Sequence, residues 1–158
     1  MKKKLQILMI SFLVINITNA QISVTSVNNK AKVVVGKIAP MGAFIADLTY
    51  RIDGVDTVYS LCHHNQKYKT LTDINCVVFL GRDNTFESLY TLFKSVFLEE
   101  NRKNKDYLVS FKLLDDGYVI RTRRDMGVTQ VQFSNESFTE YVSFTEKQVD
   151  KLFGKTQD

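Results

Sequence analysis

The chain has 158 residues with 21 Lys+Arg, 17 Asp+Glu, 11 Phe, 7 Tyr and no Trp. One Pro and 7 Gly exclude a collagen-like or low-complexity chain, and 44% hydrophobic residues suffice for one packed core. The net charge of +4 invites a nucleic-acid reading, but the distribution of the lysines argues against it.

Lys2, Lys3 and Lys4 precede an apolar run from Leu5 to Ile17, and Thr18, Asn19 and Ala20 supply small residues before Gln21. A basic start, a short apolar stretch and a small-residue site read as a secretory signal peptide over residues 1–20. The run is shorter than the roughly 20 residues that cross a bilayer, and no cysteine stands at the cut for a lipid anchor. The mature chain then runs from Gln21 to Asp158 as a single exported domain, periplasmic or extracellular. Without the three leader lysines it holds 18 Lys+Arg against 17 Asp+Glu, so neither a nucleic-acid partner nor a stable membrane span is expected. Richness in Lys, Asn, Ile, Phe and Tyr suits an AT-rich bacterial or phage genome.

Residues 21–30 are polar and read as a loose tail. Val33, Val34 and Val35 mark a first strand over Lys32 to Ile38, broken by Pro40 and Gly42. Asp53-Gly54 between two alternating runs predicts a two-residue hairpin turn. That turn pairs Ile52 with Val55, Tyr50 with Thr57, Leu48 with Tyr59 and Ala46 with Leu61, and sets Arg51 across from Asp56. His63 to Gln66 reads as a polar turn, followed by a long strand from Tyr68 to Leu80. Asn84 and Glu87 suggest a capping box ahead of a long amphipathic helix. Its apolar stripe is Phe86, Leu89, Tyr90, Phe93, Val96 and Phe97, and it runs out at Glu99 to Lys103.

Strands are predicted over Tyr107–Leu114, Tyr118–Arg124, Val128–Phe133 and Phe138–Phe144, joined at Asp115-Asp116-Gly117, Asp125-Met126-Gly127 and Ser134 to Glu136. Thr145 and Gln148 cap a short C-terminal helix. The expected fold is α+β, an antiparallel sheet or sheets of about seven strands covered by one long amphipathic helix, with a short C-terminal helix.

Few residues carry chemistry. Cys62 and Cys76 are the only cysteines. With a turn at 63–66 they lie about 30 Å apart along the strands, beyond the under ~7 Å Cα spacing of a disulfide, so both are expected to be free. His63 and His64 directly follow Cys62, and neighbours on a strand point apart, so the three make a poor chelate; an exposed polar turn explains them better than a metal or a catalytic pair. Arg121 and Arg123 share a strand face, and with Arg124 and Lys112 they form a weak candidate anion patch, although a solvated or protected edge accounts for them too. No phosphate loop, nucleophile elbow or calcium loop is present, and neither a cofactor nor a metal is implied.

The reading is an exported, non-enzymatic module that binds an unknown protein, peptide or surface through its sheet or a strand edge. The alternative is a small exported hydrolase whose site is assembled from scattered residues.

Overall fold

The computed structural model describes residues 31–68 and 72–156; the expected signal peptide over 1–20 and tail over 21–30 lie outside the described residues. The fold is α+β with two antiparallel four-stranded sheets. Strands β1 (Val33–Ile38), β2 (Ala46–Asp53), β3 (Asp56–His64) and β4 (Ile74–Leu80) form the first, in sequence order. Helices α1 (Thr85–Ser95) and α2 (Glu99–Arg102) follow. Strands β5 (Leu108–Leu113), β6 (Asp116–Asp125), β7 (Val128–Asn135) and β8 (Tyr141–Phe144) form the second sheet, again in sequence order, and α3 (Glu146–Leu152) ends the chain. The expectation of about seven strands under one long helix is thus corrected to two meanders of four, the first followed by α1 and α2 and the second by α3.

The long helix is shorter than its apolar stripe implied. α1 stops at Ser95, whose hydroxyl donates to the Leu92 carbonyl at 2.6 Å while its own carbonyl accepts from Asn101 Nδ2 at 2.8 Å. These bonds turn the chain before α2 and carry Val96 into the core. The expected cap is also different. Asn84 sits in the left-handed region at φ 60° with no capping bond, and Glu87 pairs with Lys155 instead. At α3 the Thr145–Gln148 capping box forms as expected.

The Asp53-Gly54 hairpin forms two residues out of the expected register. Asp53 faces Asp56, Tyr50 faces Tyr59 and Leu48 faces Leu61. The turn is Gly54-Val55, with positive φ at Gly54 alone, which is the requirement of a turn with Gly at its first central position. A slip of two preserves the faces, because side chains alternate with period two. It does break the expected Arg51–Asp56 pair. Asp56 takes Arg82 instead, at 2.7 Å and 2.5 Å, and that guanidinium holds the Asp56 carboxyl below its usual range.

The cysteine expectation is overturned. β3 continues through His63 and His64, and the connection to β4 spans residues 65–73. Cys62 therefore lies directly opposite Cys76, and the two form a disulfide. The loop closes through Asn65 and Asp73, backbone to backbone at 2.8 Å and side chain to side chain at 2.9 Å. A bridge closing a loop of that length stabilises by about 3 kcal/mol in the chain-entropy account.

The two sheets, α1 and α3 share one core. Phe93 is fully buried, with its ring centroid 5.5 Å from Phe133, 6.3 Å from Phe144 and 5.7 Å from Phe153. About two turns nearer the start of α1, Phe86 stacks on Tyr59 of the first sheet at 4.9 Å. α3 lies against β1 at Gly36, where an added Cβ would stand 2.1 Å from the Lys151 carbonyl oxygen and 2.4 Å from that of Leu152. Both obstacles are backbone, so the helix itself must move. Gly36→Ala is expected to cost about 1–3 kcal/mol in urea unfolding; an unchanged midpoint would show that α3 is not seated against β1.

Candidate functional site

The outer face of the second sheet concentrates the polar groups that the fold leaves unexplained. On β6, Ile120 and Thr122 point to the core side, and Thr122 Oγ1 donates to the Asn101 carbonyl at 3.1 Å. Alternation then sends Arg121 and Arg123 outward together. Arg124 falls on the opposite side near the strand end and is exposed. Lys112 faces Gly117 whereas Arg121 faces Leu108, a separation of four residues or about 13 Å along β5. Of the four candidate cations, only Arg121 and Arg123 form a pair.

Both are engaged by aromatic rings, Arg121 by an amide as well, and among the described residues neither has a carboxylate partner. The Arg121 guanidinium lies 5.0 Å from the Phe138 ring centroid, and its Nε donates to Gln132 Oε1 at 2.5 Å. Arg123 lies 5.6 Å from the Tyr141 ring. Directly across the strands, Arg121 faces Gln132, Gln132 faces Ser143, and Ser134 faces Tyr141. Gln132 and Ser134 are each only 1% exposed and Ser143 8%. Among the described residues four buried side-chain polar atoms have no hydrogen-bond partner, and three of them, Gln132 Nε2, Ser134 Oγ and Ser143 Oγ, sit together on this face. Buried polar atoms rarely go unpaired.

Beside this cluster is a hollow of about 370 Å³ lined by His64, Gln66, Arg123, Asp125 and Tyr141. The loop after β3 forms one wall of it and also closes the edge of β8. Gln66 N donates to the Tyr141 carbonyl at 2.8 Å, Tyr141 N to Asn65 Oδ1 at 3.2 Å, and Ser143 N to Gln66 Oε1 at 3.1 Å.

Among the described residues the edge of β4 has no such cover. Directly opposed residues in an antiparallel pair lie about 4.5 Å apart where they do not bond each other and about 5.5 Å where they do. The Cys62 and Cys76 Cα atoms are 4.0 Å apart, so theirs is a non-bonded pair. The Gly81 N–H, which bonds the Thr57 carbonyl at 2.8 Å, fits the same phase. Ile74, Cys76, Val78 and Leu80 therefore turn their N–H and C=O groups away from β3. Ile74 is 50% and Val78 45% exposed, and no residue from Ile74 to Leu80 is charged.

The histidines belong to β3, which corrects the expectation of an exposed turn. His63 points inward, buried against the edge of Phe133 at 6.0 Å, and burial holds its imidazole below the usual histidine range. His64 points the other way, into the hollow. A second hollow, about 370 Å³, includes Asp116, Glu136, Ser137 and Glu140. Burial, with Asp73 adding to it, raises the Glu140 carboxyl above its usual range. No histidine lines this hollow, and the Ser137 hydroxyl is bonded to Thr139 Oγ1 at 3.1 Å rather than to a carboxylate.

Burial of His63 has a signed consequence. Its folded-state pKa is depressed, so the unfolded chain takes up a proton that the folded chain does not. Stability is complete above the ordinary histidine value of about 6.5 and falls as pH drops from there toward the lowered folded value. In urea unfolding at pH 7.5 and 5, His63→Leu is expected to lose less stability on acidification than the parent; parallel losses would contradict the placement of His63. Comparison with protein-family models, curated proteins and solved structures finds no match for this chain.

Proposed function

We propose that the chain is an exported, non-enzymatic binding module that takes an extended segment of a partner protein along the free edge of β4. One observation carries the reading: an uncharged seven-residue edge strand directs the backbone groups of Ile74, Cys76, Val78 and Leu80 outward, with no partner for them among the described residues. Such edges are ordinarily blunted by charge, proline or cover, and an exposed one is a template for strand addition. The same molecule closes its β8 edge with Asn65 and Gln66, so the contrast lies within one fold. The disulfide ties β4 to β3 at mid-strand, which opposes fraying when a ligand strand pairs. It also agrees with the export that the N-terminal sequence implies, since such bridges persist in oxidising compartments. The ligand strand is uncharged, with small or apolar residues beside Ile74, Cys76 and Val78.

The hydrolase reading has one observation in its favour, the raised Glu140 carboxyl. Among the described residues no nucleophile or base is bonded to that carboxyl, so the binding module is preferred.

Val78→Pro tests the proposal, because it removes one outward N–H and leaves every bond to β3 in place. Peptides selected from a random display library on the parent domain are expected to be uncharged and β-forming, and to bind the folded variant at least tenfold more weakly. Hydrogen exchange should show Ile74, Cys76 and Val78 amides protected on binding. Equal binding by the variant, protection on another element, or a dimer formed through β4 in place of peptide binding would overturn it.

A further inference from the structure

The polar cluster on the second sheet is independent of the β4 edge. Gln132 Oε1 is occupied by the Arg121 donor, so the amide cannot be turned over and its Nε2 is the atom left unpaired. Its missing partner must be an acceptor. Across the strands Ser143 Oγ is unpaired as well, and Ser134 Oγ lies two residues along β7 on the same face. An acidic side chain would satisfy all three, but the outward residues nearest them, Arg121, Arg123, Val119 and Tyr141, supply none. Two cations, one amide N–H₂ and two hydroxyls thus share this face, with no carboxylate bonded to them among the described residues. Charge-assisted bonds from such donors are short and strong when an oxyanion accepts them.

Phe138 lies at the Arg121 end of the cluster, on a turn after β7. Phe138, under the Arg121 guanidinium, sits at φ 52°, a left-handed conformation that is uncommon for a bulky residue and costs energy to hold. It is held by bonds that lie outside any strand ladder. Asn135 Oδ1 accepts from Thr139 N at 3.0 Å, Asn135 Nδ2 donates to Thr139 Oγ1 at 2.6 Å, and Lys67 Nζ donates to the Phe138 carbonyl at 3.1 Å. Next to the cluster lies the hollow at Gln66, Arg123 and Tyr141, and Gln66 also accepts the Ser143 N–H. Among the described residues Asp125, at the hairpin tip, is the one carboxylate lining the hollow.

We infer that the outer face of β6, β7 and β8 is a binding site for a small oxyanion, with Gln132, Ser134, Ser143 and Arg121 as donors and the turn carrying Phe138 as its cover. The anion enters from the hollow beside Arg123 and displaces the Phe138 ring from Arg121. Neutral buried donors with two flanking cations suit a carboxylate or a phosphate-type group, and the probes separate these.

The test is an NMR titration of the full mature domain with acetate, sulfate and phosphate against chloride at matched ionic strength. At least one of the three is expected to give saturable shifts centred on Gln132, Ser134 and Ser143, with the Phe138 turn responding. The double variant Ser134→Ala/Ser143→Ala is expected to keep the parent fold and to weaken that binding at least tenfold; Arg121→Gln, a second variant, is expected to weaken it as much. Absence of saturable shifts with all three anions overturns the inference. So does equal binding by the double variant, or a crystal grown in phosphate in which water alone partners the three atoms. None of these outcomes touches the β4 edge, so this inference and the proposed function stand or fall separately.

Discussion

The burial of one aromatic helix face between two sheets is the constraint on which the rest of the structure depends. Each four-stranded meander has only one face for the core, and α1 supplies what both need: Phe86 to Tyr59 of the first sheet and Phe93 to Phe133 and Phe144 of the second. α3 completes the arrangement through Phe153, which touches both Phe86 and Phe93. Its close seat on β1 requires the missing side chain at Gly36. With both inner faces committed, the outer faces and the strand edges are the surfaces left for binding.

Those surfaces are treated unequally. Directly after β3, Asn65 and Gln66 satisfy the edge of β8. The connection to β4 returns the chain at Ile74, which brings Cys76 opposite Cys62 and leaves β4 as an uncharged edge. The closed β8 edge and the disulfide both depend on this connection, and β4 ends its sheet. The second sheet carries the polar side of the molecule, where buried amide and hydroxyl groups lie between two arginine–aromatic pairs.

Local signals in the sequence were reliable where short-range chemistry decides. The Thr145–Gln148 box, the faces of the β2–β3 hairpin and the split into strands and helices all follow from periodicity and capping. The hairpin register did not, because Asp53-Gly54 and Gly54-Val55 are both plausible turns and alternation cannot distinguish a slip of two. The disulfide was missed for a tertiary reason. Nothing local fixes the end of β3 at His64 and the start of β4 at Ile74, since Asn65 and Gln66 are anchored on β8, far along the chain. In the same way Gln132, Ser134 and Ser143 alternate with apolar residues, and nothing local marks them as buried. The pairing of Arg121 with Arg123 was legible from spacing, whereas the exclusion of Arg124 and Lys112 required the strand register.

If α1 joins the halves, the sheets cannot unfold independently. Native-state hydrogen exchange reads this most directly, at the amides of Leu48 and Leu61 in the first sheet and Ile120 and Val131 in the second. In the parent all four are expected to open with the same free energy, and Phe93→Ala is expected to lower all of them together by about 3–5 kcal/mol. Loss of protection in one sheet while the other keeps its parent value would contradict the shared core.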